Sequence, residues 1–356
     1  MKSGETVFTV VELFAGAGGL ALGLENAGLK NIFLNEIDKD CVATLRKNRP
    51  NWNIIHEDVR KLSFENLKAD IVTGGFPCQS FSYAGKRLGF EDTRGTLFFE
   101  FARAVKKIQP KIFIAENVAG LVSHDNGKTM ETILKILRED LDNYNVKYRI
   151  LNAVNFSVPQ KRQRILIVGT KKEIEFNFPE EHKKIITLKE TLKDVPKSEG
   201  IKYSEKRKKI MELIPPGGSW INLPLEIQKD FMGKSMNSSG GKRGMARRMS
   251  WDEPSLTLTT SPSQKQTERC HPEETRPFTV REYARIQTFP DDWEFAGGVS
   301  SKYKQIGNAV PVKLAEEIGK QIIIALEASE MSAEKIQQAF SYPSVKLQTF
   351  AQELVQ

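Results

Sequence analysis

The sequence predicts an α/β protein with a large domain on an open, mainly parallel sheet and a smaller, loop-rich basic domain. Short β-branched apolar runs recur between residues 7 and 169, and each ends in a polar or glycine-rich turn. Hydrophobic residues make up 39% of the 356 residues, which is enough for a large core. After Thr170 the chain becomes charged and is punctuated by proline and glycine, which indicates a separate module.

The first three predicted strands end in residues suited to a nucleoside. Strand 7–14 opens into the glycine turn 15–19, where the backbone can approach a ligand closely, and a helical pattern follows over 20–27. Strand 31–34 leads to Glu36, which lies 20 residues after Gly16, an offset at which a carboxylate can bind ribose hydroxyls. Strand 54–55 leads to Asp58. The pattern Gly16-x-Gly18-x-x-Ala21 also fits a dinucleotide fingerprint, so a nicotinamide enzyme is an alternative.

The fourth and fifth predicted strands deliver a thiol and a carboxyl group. Residues 71–72 run through a Gly-Gly pair and Pro77 into Cys78, and residues 111–115 lead to Glu116. Pro77 restricts the backbone on both sides of itself, so the thiol is held where the strand ends. From the local sequence alone Cys78 is either a nucleophile or an ordinary, partly buried thiol. The charged, glycine-rich stretch 82–94 predicts a mobile loop beside it, followed by a helix over 97–108.

Two arginines open a later strand. Arg162 and Arg164 are two residues apart, so their side chains are predicted to point to the same face. Such a pair is either a surface edge or a clamp for an anion or a carbonyl group. Helices are predicted over 130–141 and 279–286, and a tight turn over 305–311 before a helix over 312–328. Residues 329–356 read as helical with a break at Pro343, and no role is assigned to them.

The charge distribution favours a polyanionic partner. The net charge is +8, and residues 201–250 contain 11 Lys or Arg against 4 Asp or Glu. A solvated basic face is the alternative. No apolar run approaches the length of a membrane span, and the N-terminus lacks a signal-peptide pattern. The three cysteines form no CxxC pair, which indicates a reduced cytoplasm, and Cys270-His271 lacks further ligands, so no metal is expected.

Taken together, the motifs resemble the cytosine-5 DNA methyltransferases of bacterial restriction–modification systems. The resemblance covers Val10 to about Ala328, in family order. The matching motifs are Phe14-Ala-Gly-Ala-Gly-Gly, Asn35-Glu-Ile-Asp, Gly75-Phe-Pro-Cys-Gln-Ser, Arg94-Gly-Thr-Leu-Phe-Phe, Glu116-Asn-Val, Gln160-Lys-Arg-Gln-Arg, Arg281-Glu-Tyr-Ala-Arg and Gly307-Asn-Ala-Val. The long basic segment falls where this family places its target-recognition domain, and Thr257-Leu258 resembles the recurrent Thr-Leu pair of that domain.

The resemblance implies a Rossmann-like domain that binds S-adenosyl-L-methionine. Phe14 would stack near the adenine, Glu36 would hold the ribose, and Asp58 would contact the adenine amino group. Further cofactor contacts are expected from Ala15, Gly16, Gly18, Gly19, Ile37, Val59, Pro77, Leu97, Asn308 and Val310. Many relatives carry Trp where this chain has Ile37. The implied division is a large domain over 1–180, a target-recognition domain over 181–280, a hinge over 281–304, a return segment over 305–328 and a C-terminal extension over 329–356.

The chemistry of cytosine then assigns roles to the catalytic candidates. C5 is a poor nucleophile, so the Cys78 thiolate is expected to add to C6 first. Glu116 would supply a proton at N3, and Arg164 with Arg162 would hold the O2 side and favour the thiolate. The target base must leave the duplex, with residues 82–94 as the lid. The hydride-transfer alternative leaves Cys78, Glu116 and the arginines unexplained.

Double-stranded DNA is the expected partner. DNA contacts are predicted for Gln79, Ser82, Lys86, Arg87, Arg94, Arg243, Arg247, Arg248, Thr257, Gln264 and Lys265. An RNA methyltransferase on the same scaffold is one alternative, although the tRNA-acting relatives have little sequence in the recognition region and some 90 residues intervene here. A catalytically inactive DNA-binding relative is the other. We expect a cytoplasmic protein without membrane contact, monomeric on DNA, with a cognate restriction endonuclease in the same system.

Overall fold

The computed structural model of the protein describes residues 7–77, 97–141, 143–237 and 244–341. Over these ranges the large domain is built on a seven-stranded sheet in the order β3-β2-β1-β4-β5-β8-β6. The strands of this sheet are β1 (Thr9–Leu13), β2 (Lys30–Glu36), β3 (Ile54–His56), β4 (Ile71–Gly74), β5 (Ile112–Val118), β6 (Tyr144–Asn152) and β8 (Gln163–Lys171). Two short strands, β7 (Gln160–Lys161) and β9 (Ser255–Leu256), pair with each other in a separate sheet.

The helices lie on both sides of this sheet and in the basic segment. They are α1 (Gly19–Ala27), α2 (Lys39–Asn48), α3 (Leu97–Ile108), α4 (Lys128–Glu139), α5 (Leu188–Thr191), α6 (Glu205–Glu212), α7 (Leu225–Met232), α8 (Val280–Ile286), α9 (Val299–Asn308) and α10 (Val312–Ser341). Local sequence explains several boundaries. Asp38 caps α2 by accepting hydrogen bonds from Asp40 N and Cys41 N, and Thr279 and Glu282 form a reciprocal capping box at the start of α8. The α/β class expected from the sequence is confirmed.

The direction of the strands places a crevice at one edge of the sheet. Strands β3, β2, β1, β4 and β5 are mutually parallel, while β8 runs antiparallel to both β5 and β6. The chain builds outward from β1 to β3 and then crosses to β4 on the other side of β1. A crevice outside the carboxyl ends of the strands forms at such a switch point, and ligands bind there in open α/β sheets.

Apolar clusters show how the parts pack. Side chains of α1 and α10 cover one face of the sheet, and those of α3 and α4 cover the other. The basic segment has a small apolar cluster of its own around α6 and α7, which includes Met211 and Phe231. Leu188 and Leu258, also from the predicted small domain, instead pack in a cluster with Leu45 and Tyr303. Residues of the predicted range 181–280 therefore contribute to two separate apolar clusters.

One predicted turn is a helix in the structure. Residues 305–308 form the last turn of α9, and only 309–311 link it to α10. The helix extends this far because Tyr303 and Ile306 lie three residues apart and are both buried. The helix predicted to end at residue 328 continues to Ser341. Among the described helices, none is long and apolar enough to cross a membrane.

Candidate active site

The glycine turn after β1 is tied to the end of β2 by one carboxylate. Glu36 Oε2 accepts a hydrogen bond from Gly16 N at 2.7 Å, while Oε1 accepts from the backbone nitrogens of Ile37 and Asp38 at 2.9 and 2.8 Å. Gly16 has φ +55°, and no atom lies within 4 Å of where a Cβ would stand. The Glu36 side chain thus fixes a turn whose backbone faces open space, which is what a closely held ligand requires.

The other predicted cofactor residues differ in conformation and in exposure to solvent. Phe14 has φ +59° and Gly18 is the left-handed N-cap of α1. Asp58 follows β3 and accepts hydrogen bonds from Arg60, which lowers the pKa of its carboxyl group to about 2. Ile37, directly after β2, is 63% exposed, so a branched aliphatic side chain is available there. The remaining ones fall into two sets, buried (Ala15, Gly19, Val59 and Val310) and at least partly exposed (Pro77, Leu97 and Asn308).

A buried ion pair lies at the carboxyl edge of β5. Arg164 Nε donates to Glu116 Oε1 at 2.9 Å, and both side chains are largely buried. Burial raises the pKa of Glu116, and the charges of Arg164 and Arg162 act in the opposite direction. Burial thus favours the protonated form of this carboxyl group, which is the form that a general acid needs.

The segment that leads to Cys78 contacts this pair. Asn117 Nδ2 donates to Phe76 O at 2.8 Å, and a Cβ on Gly75 would lie 3.1 Å from Glu116 Oε2. A larger residue at position 75 would therefore crowd the carboxyl group of Glu116. Cys78 itself lies outside the described residues, as do Gln79, Ser82, Lys86, Arg87, Arg94 and Arg243.

The two cysteines in the described part of the chain have the character of inert thiols. Cys41 and Cys270 are both buried, and burial raises the pKa of each thiol. A thiol with a raised pKa carries little thiolate at neutral pH and is a poor nucleophile. Neither residue therefore competes with Cys78 for the predicted role.

Arg162 does not share the contact of Arg164 with Glu116. Its Nη1 donates to Leu258 O at 2.9 Å, and its Nη2 donates to Gly307 O and Ala309 O at 2.8 and 3.1 Å. The side chain is fully buried because these carbonyl groups surround it. Both terminal nitrogens of Arg162 are engaged by the protein, and its role with Arg164 in holding the substrate stays a prediction.

The predicted DNA-contacting residues separate into accessible and inaccessible ones. Gln264 and Lys265 are exposed, and Arg247 is partly exposed. The Thr257 hydroxyl donates to Lys161 O at 2.7 Å, which ties the Thr-Leu pair to β7. Arg248 is only 4% exposed, and its guanidinium donates to Met211 O at 2.7 Å and to three further acceptors. Arg248 therefore stabilises the segments around it through these hydrogen bonds, and its contact with DNA stays a prediction.

Sequence reasoning missed two buried glutamines beside Arg162. Gln160 and Gln287 have no solvent exposure, and Gln160 Nε2 donates to Gln287 Oε1 at 2.7 Å. Gln160 opens a motif already recognised in the sequence, but nothing in the sequence singles out Gln287.

Fold and site together define an α/β protein with an open glycine turn and an acid–arginine pair at one edge of the sheet. The chain belongs to the C-5 cytosine-specific DNA methylase family, whose model matches residues 8–324. The motifs on which the resemblance was based all lie within this match.

Curated relatives with this similarity carry names of Type II methyltransferases. M.Eco47II of Escherichia coli is 58% identical over 339 residues, which span 92% of this chain and 81% of the relative. M.Sau96I of Staphylococcus aureus is 57% identical over 327 residues, or 89% and 76% of the two chains. A solved structure described as a candidate DNA modification methyltransferase of an E. coli prophage has a TM-score of 0.66 at 24% identity, covering 90% of this chain and 99% of the other. That last likeness shows the shared fold.

Proposed function

We propose that the protein transfers a methyl group to C5 of a cytosine in double-stranded DNA. The observation that carries the proposal is the buried Glu116–Arg164 pair in contact with the glycine turn that leads to Cys78. A proton donor next to a cysteine-bearing turn is what addition of a thiolate to C6 of cytosine requires. Membership of the C-5 cytosine-specific DNA methylase family supports the same reaction.

S-adenosyl-L-methionine is the proposed methyl donor, and the residues present fit it. The open space beside Gly16 admits a ligand against the backbone, and the fixed carboxylate of Glu36 is placed to accept hydrogen bonds from ribose hydroxyls. Phe14 would stack near the adenine, and Asp58, kept ionised by Arg60, would accept from the adenine amino group. When bound, this cofactor supplies an electrophilic methyl group on a sulfonium centre.

The proposed catalytic roles follow from the electron flow in cytosine. The Cys78 thiolate adds to C6, and Glu116 gives a proton to N3 as the ring accepts the electron pair. C5 thereby becomes nucleophilic. Once C5 carries the methyl group, water accepts the C5 proton, the C5–C6 double bond re-forms and the Cys78 thiolate is expelled, and N3 returns its proton to Glu116. Arg164 would orient Glu116 through their ion pair and hold the O2 side of the base.

The DNA side of the proposal rests on the small domain. The target base lies inside the duplex, so it has to be extruded into the crevice before the thiolate can reach it. The exposed Gln264 and Lys265 and the partly exposed Arg247 are proposed to contact DNA. We propose that one copy of the chain acts on each target site, in the cytoplasm, and that the methylation protects DNA from a cognate endonuclease.

A trapping experiment tests the covalent step. Fluorine at C5 cannot leave as a cation, so the adduct should persist after methyl transfer. The first measurement is bisulfite sequencing of plasmid DNA from cells that express the protein, which identifies the methylated word. A duplex with 5-fluorocytosine at that position, incubated with S-adenosylmethionine, should then give a protein–DNA complex that survives denaturing electrophoresis.

The controls use the other cysteines of the chain. Cys78→Ser should abolish the complex, whereas Cys41→Ser and Cys270→Ser should leave it intact, since burial keeps those two thiols protonated. Omission of the cofactor should also prevent a stable complex. An active preparation that forms no adduct on the verified word would show that Cys78 is not the nucleophile.

A further inference from the structure

Two buried amides join parts of the chain that are distant in sequence. Gln160 lies in β7, and Gln287 directly follows α8 as its C-cap. The hydrogen bond of 2.7 Å between their side chains spans 127 residues of sequence. A buried amide that loses a partner is costly, so the remaining bonds of these two side chains are informative.

Gln160 and Arg162 hold the segment that carries the Thr-Leu pair. Gln160 Oε1 accepts from Leu258 N at 2.8 Å, and Arg162 Nη1 donates to Leu258 O at 2.9 Å. Both polar groups of Leu258 are therefore held from the β7 side. The chain continues from Leu258 into the loop that presents Gln264 and Lys265 to solvent. The position of this loop therefore depends on the two hydrogen bonds that hold Leu258.

Gln287 and Arg162 hold the segment before α10. Gln287 Nε2 donates to Ile306 O at 2.7 Å and to Ala309 O at 2.9 Å, and Arg162 Nη2 also donates to Ala309 O. Ala309 lies between the proposed cofactor residues Asn308 and Val310. Val310 packs in one apolar cluster with Leu20, at the start of α1 behind the glycine turn. The position of residues 308–310, the cofactor segment, therefore depends on the two hydrogen bonds that Ala309 O accepts.

We infer that Gln160 and Gln287 are positioning residues. Together with Arg162 they form a buried anchor beside the proposed catalytic pair, and this anchor holds both the DNA-reading loop and the cofactor segment. Gln160 positions the DNA-reading loop through Leu258, and Gln287 positions the cofactor segment through Ala309. Arg162 contacts both segments and precedes Arg164 by two residues, so the anchor is continuous with the Glu116–Arg164 pair. The inference rests on the proposed function, since it assigns these segments to DNA and to S-adenosylmethionine.

The test separates the two amides by the ligand that each one affects. Leucine is an apolar side chain, one heavy atom smaller than glutamine, and it cannot form these hydrogen bonds. Gln160→Leu should weaken binding of the duplex and leave the cofactor Kd unchanged, and Gln287→Leu should do the reverse. One or two lost hydrogen bonds predict a change of about three- to tenfold in the affected Kd. Fluorescence anisotropy with the duplex and isothermal titration calorimetry with S-adenosylmethionine measure the two constants without any turnover.

The double variant tests whether the amides act together. Their mutual hydrogen bond is already lost in each single variant, so the double variant should be less stable than wild type by less than the sum of the single effects. Thermal denaturation measures this difference. If either leucine variant does not fold, Gln160→Asn and Gln287→Asn replace them, because the shorter amide keeps its polarity but cannot span both partners.

Gln228→Leu is the matched control. The Gln228 side chain also donates to two backbone carbonyl groups, Ile221 O and Leu223 O, but within one domain. It should lower thermal stability without changing either Kd. Gln160 and Gln287 variants that weaken both ligands equally, or that behave like Gln228→Leu, would overturn the inference. Failure of the proposed function would instead appear in the wild-type protein, as absence of cofactor binding or of methylation.

Discussion

Glu12 is an acidic side chain in the middle of the sheet, and its protonation should control how stability depends on pH. The residue is in β1, is only 2% exposed, and its Oε2 accepts a hydrogen bond of 3.5 Å from the Thr73 hydroxyl. Burial raises the pKa of its carboxyl group from 4.5 to about 8, and the negative charge of Glu36 adds to this effect. The folded protein therefore keeps this proton up to about pH 8, while the unfolded chain loses it near pH 4.5.

The sign and size of the effect follow from this difference. The contribution of Glu12 to the free energy of unfolding is fully present below the unfolded pKa of 4.5 and is lost as the pH rises to about 8. Each pKa unit corresponds to about 1.4 kcal/mol, so the loss is roughly 3–5 kcal/mol. Glu12→Gln introduces a neutral group of the same shape and should be insensitive to pH over this range.

Urea denaturation of both proteins at about pH 5 and about pH 8.5 measures the effect. The variant should be close to wild type at the lower pH and more stable by roughly 3–5 kcal/mol at the higher pH. The difference in the free energy of unfolding between the two proteins cancels the contributions of the other titrating groups, because both proteins contain them. Glu226→Gln, at an exposed position of α7, should show no such trend. The reasoning fails if the difference between Glu12→Gln and wild type is the same at both pH values.

Two further predictions concern turnover and DNA affinity. Glu116→Gln retains an oxygen that accepts from Arg164 but cannot supply a proton, so single-turnover methylation should slow by about 10²–10⁴-fold while both ligands still bind. A loss below about tenfold would remove Glu116 from the role of general acid. Three exposed lysines of α6 are Lys206, Lys208 and Lys209. Replacing them with glutamine should reduce the slope of log K for DNA binding against log salt concentration by about 1–3, because each phosphate contact contributes about 0.9 to this slope. An unchanged slope would show that this face of α6 is only solvated. Arg207 is left out because it pairs with the buried Glu268.

The parallel half of the sheet could be predicted because its strands are buried on both faces. Such strands appear in a sequence as uninterrupted apolar runs, and the first five runs correspond to β1 to β5. Polar residues directly after such a run lie at one edge of the sheet, which is why Glu36 could be found from its position alone. The start of α8 was predictable for a different reason, since Thr279 and Glu282 form a local capping box.

The partners of individual arginines could not be predicted in this way. Arg247 and Arg248 are neighbours with the same chemistry, yet only Arg248 is buried. Its position follows from a bridge between Arg248 and Cys270, which turns the side chain toward Met211 O. The run 206–209 presents the same difficulty, because Arg207 alone turns inward to Glu268. Charge runs predict an electrostatic surface, but tertiary contacts decide which members of the run belong to it.

The reversed strand β8 explains how the acid–arginine pair forms. In a fully parallel sheet the first residues of a strand lie at the edge opposite the ligand crevice. Because β8 is antiparallel to β5, its beginning lies beside the end of β5, and Arg164 is paired in register with Val118, two residues beyond Glu116. A residue at the start of one strand therefore meets a residue at the end of another. Arg162, one residue before β8, is brought to the same edge and to the Leu258 and Ala309 carbonyl groups. The reversal of one strand thus places the proposed catalytic pair, Glu116 and Arg164, and the buried Arg162 together at this edge of the sheet.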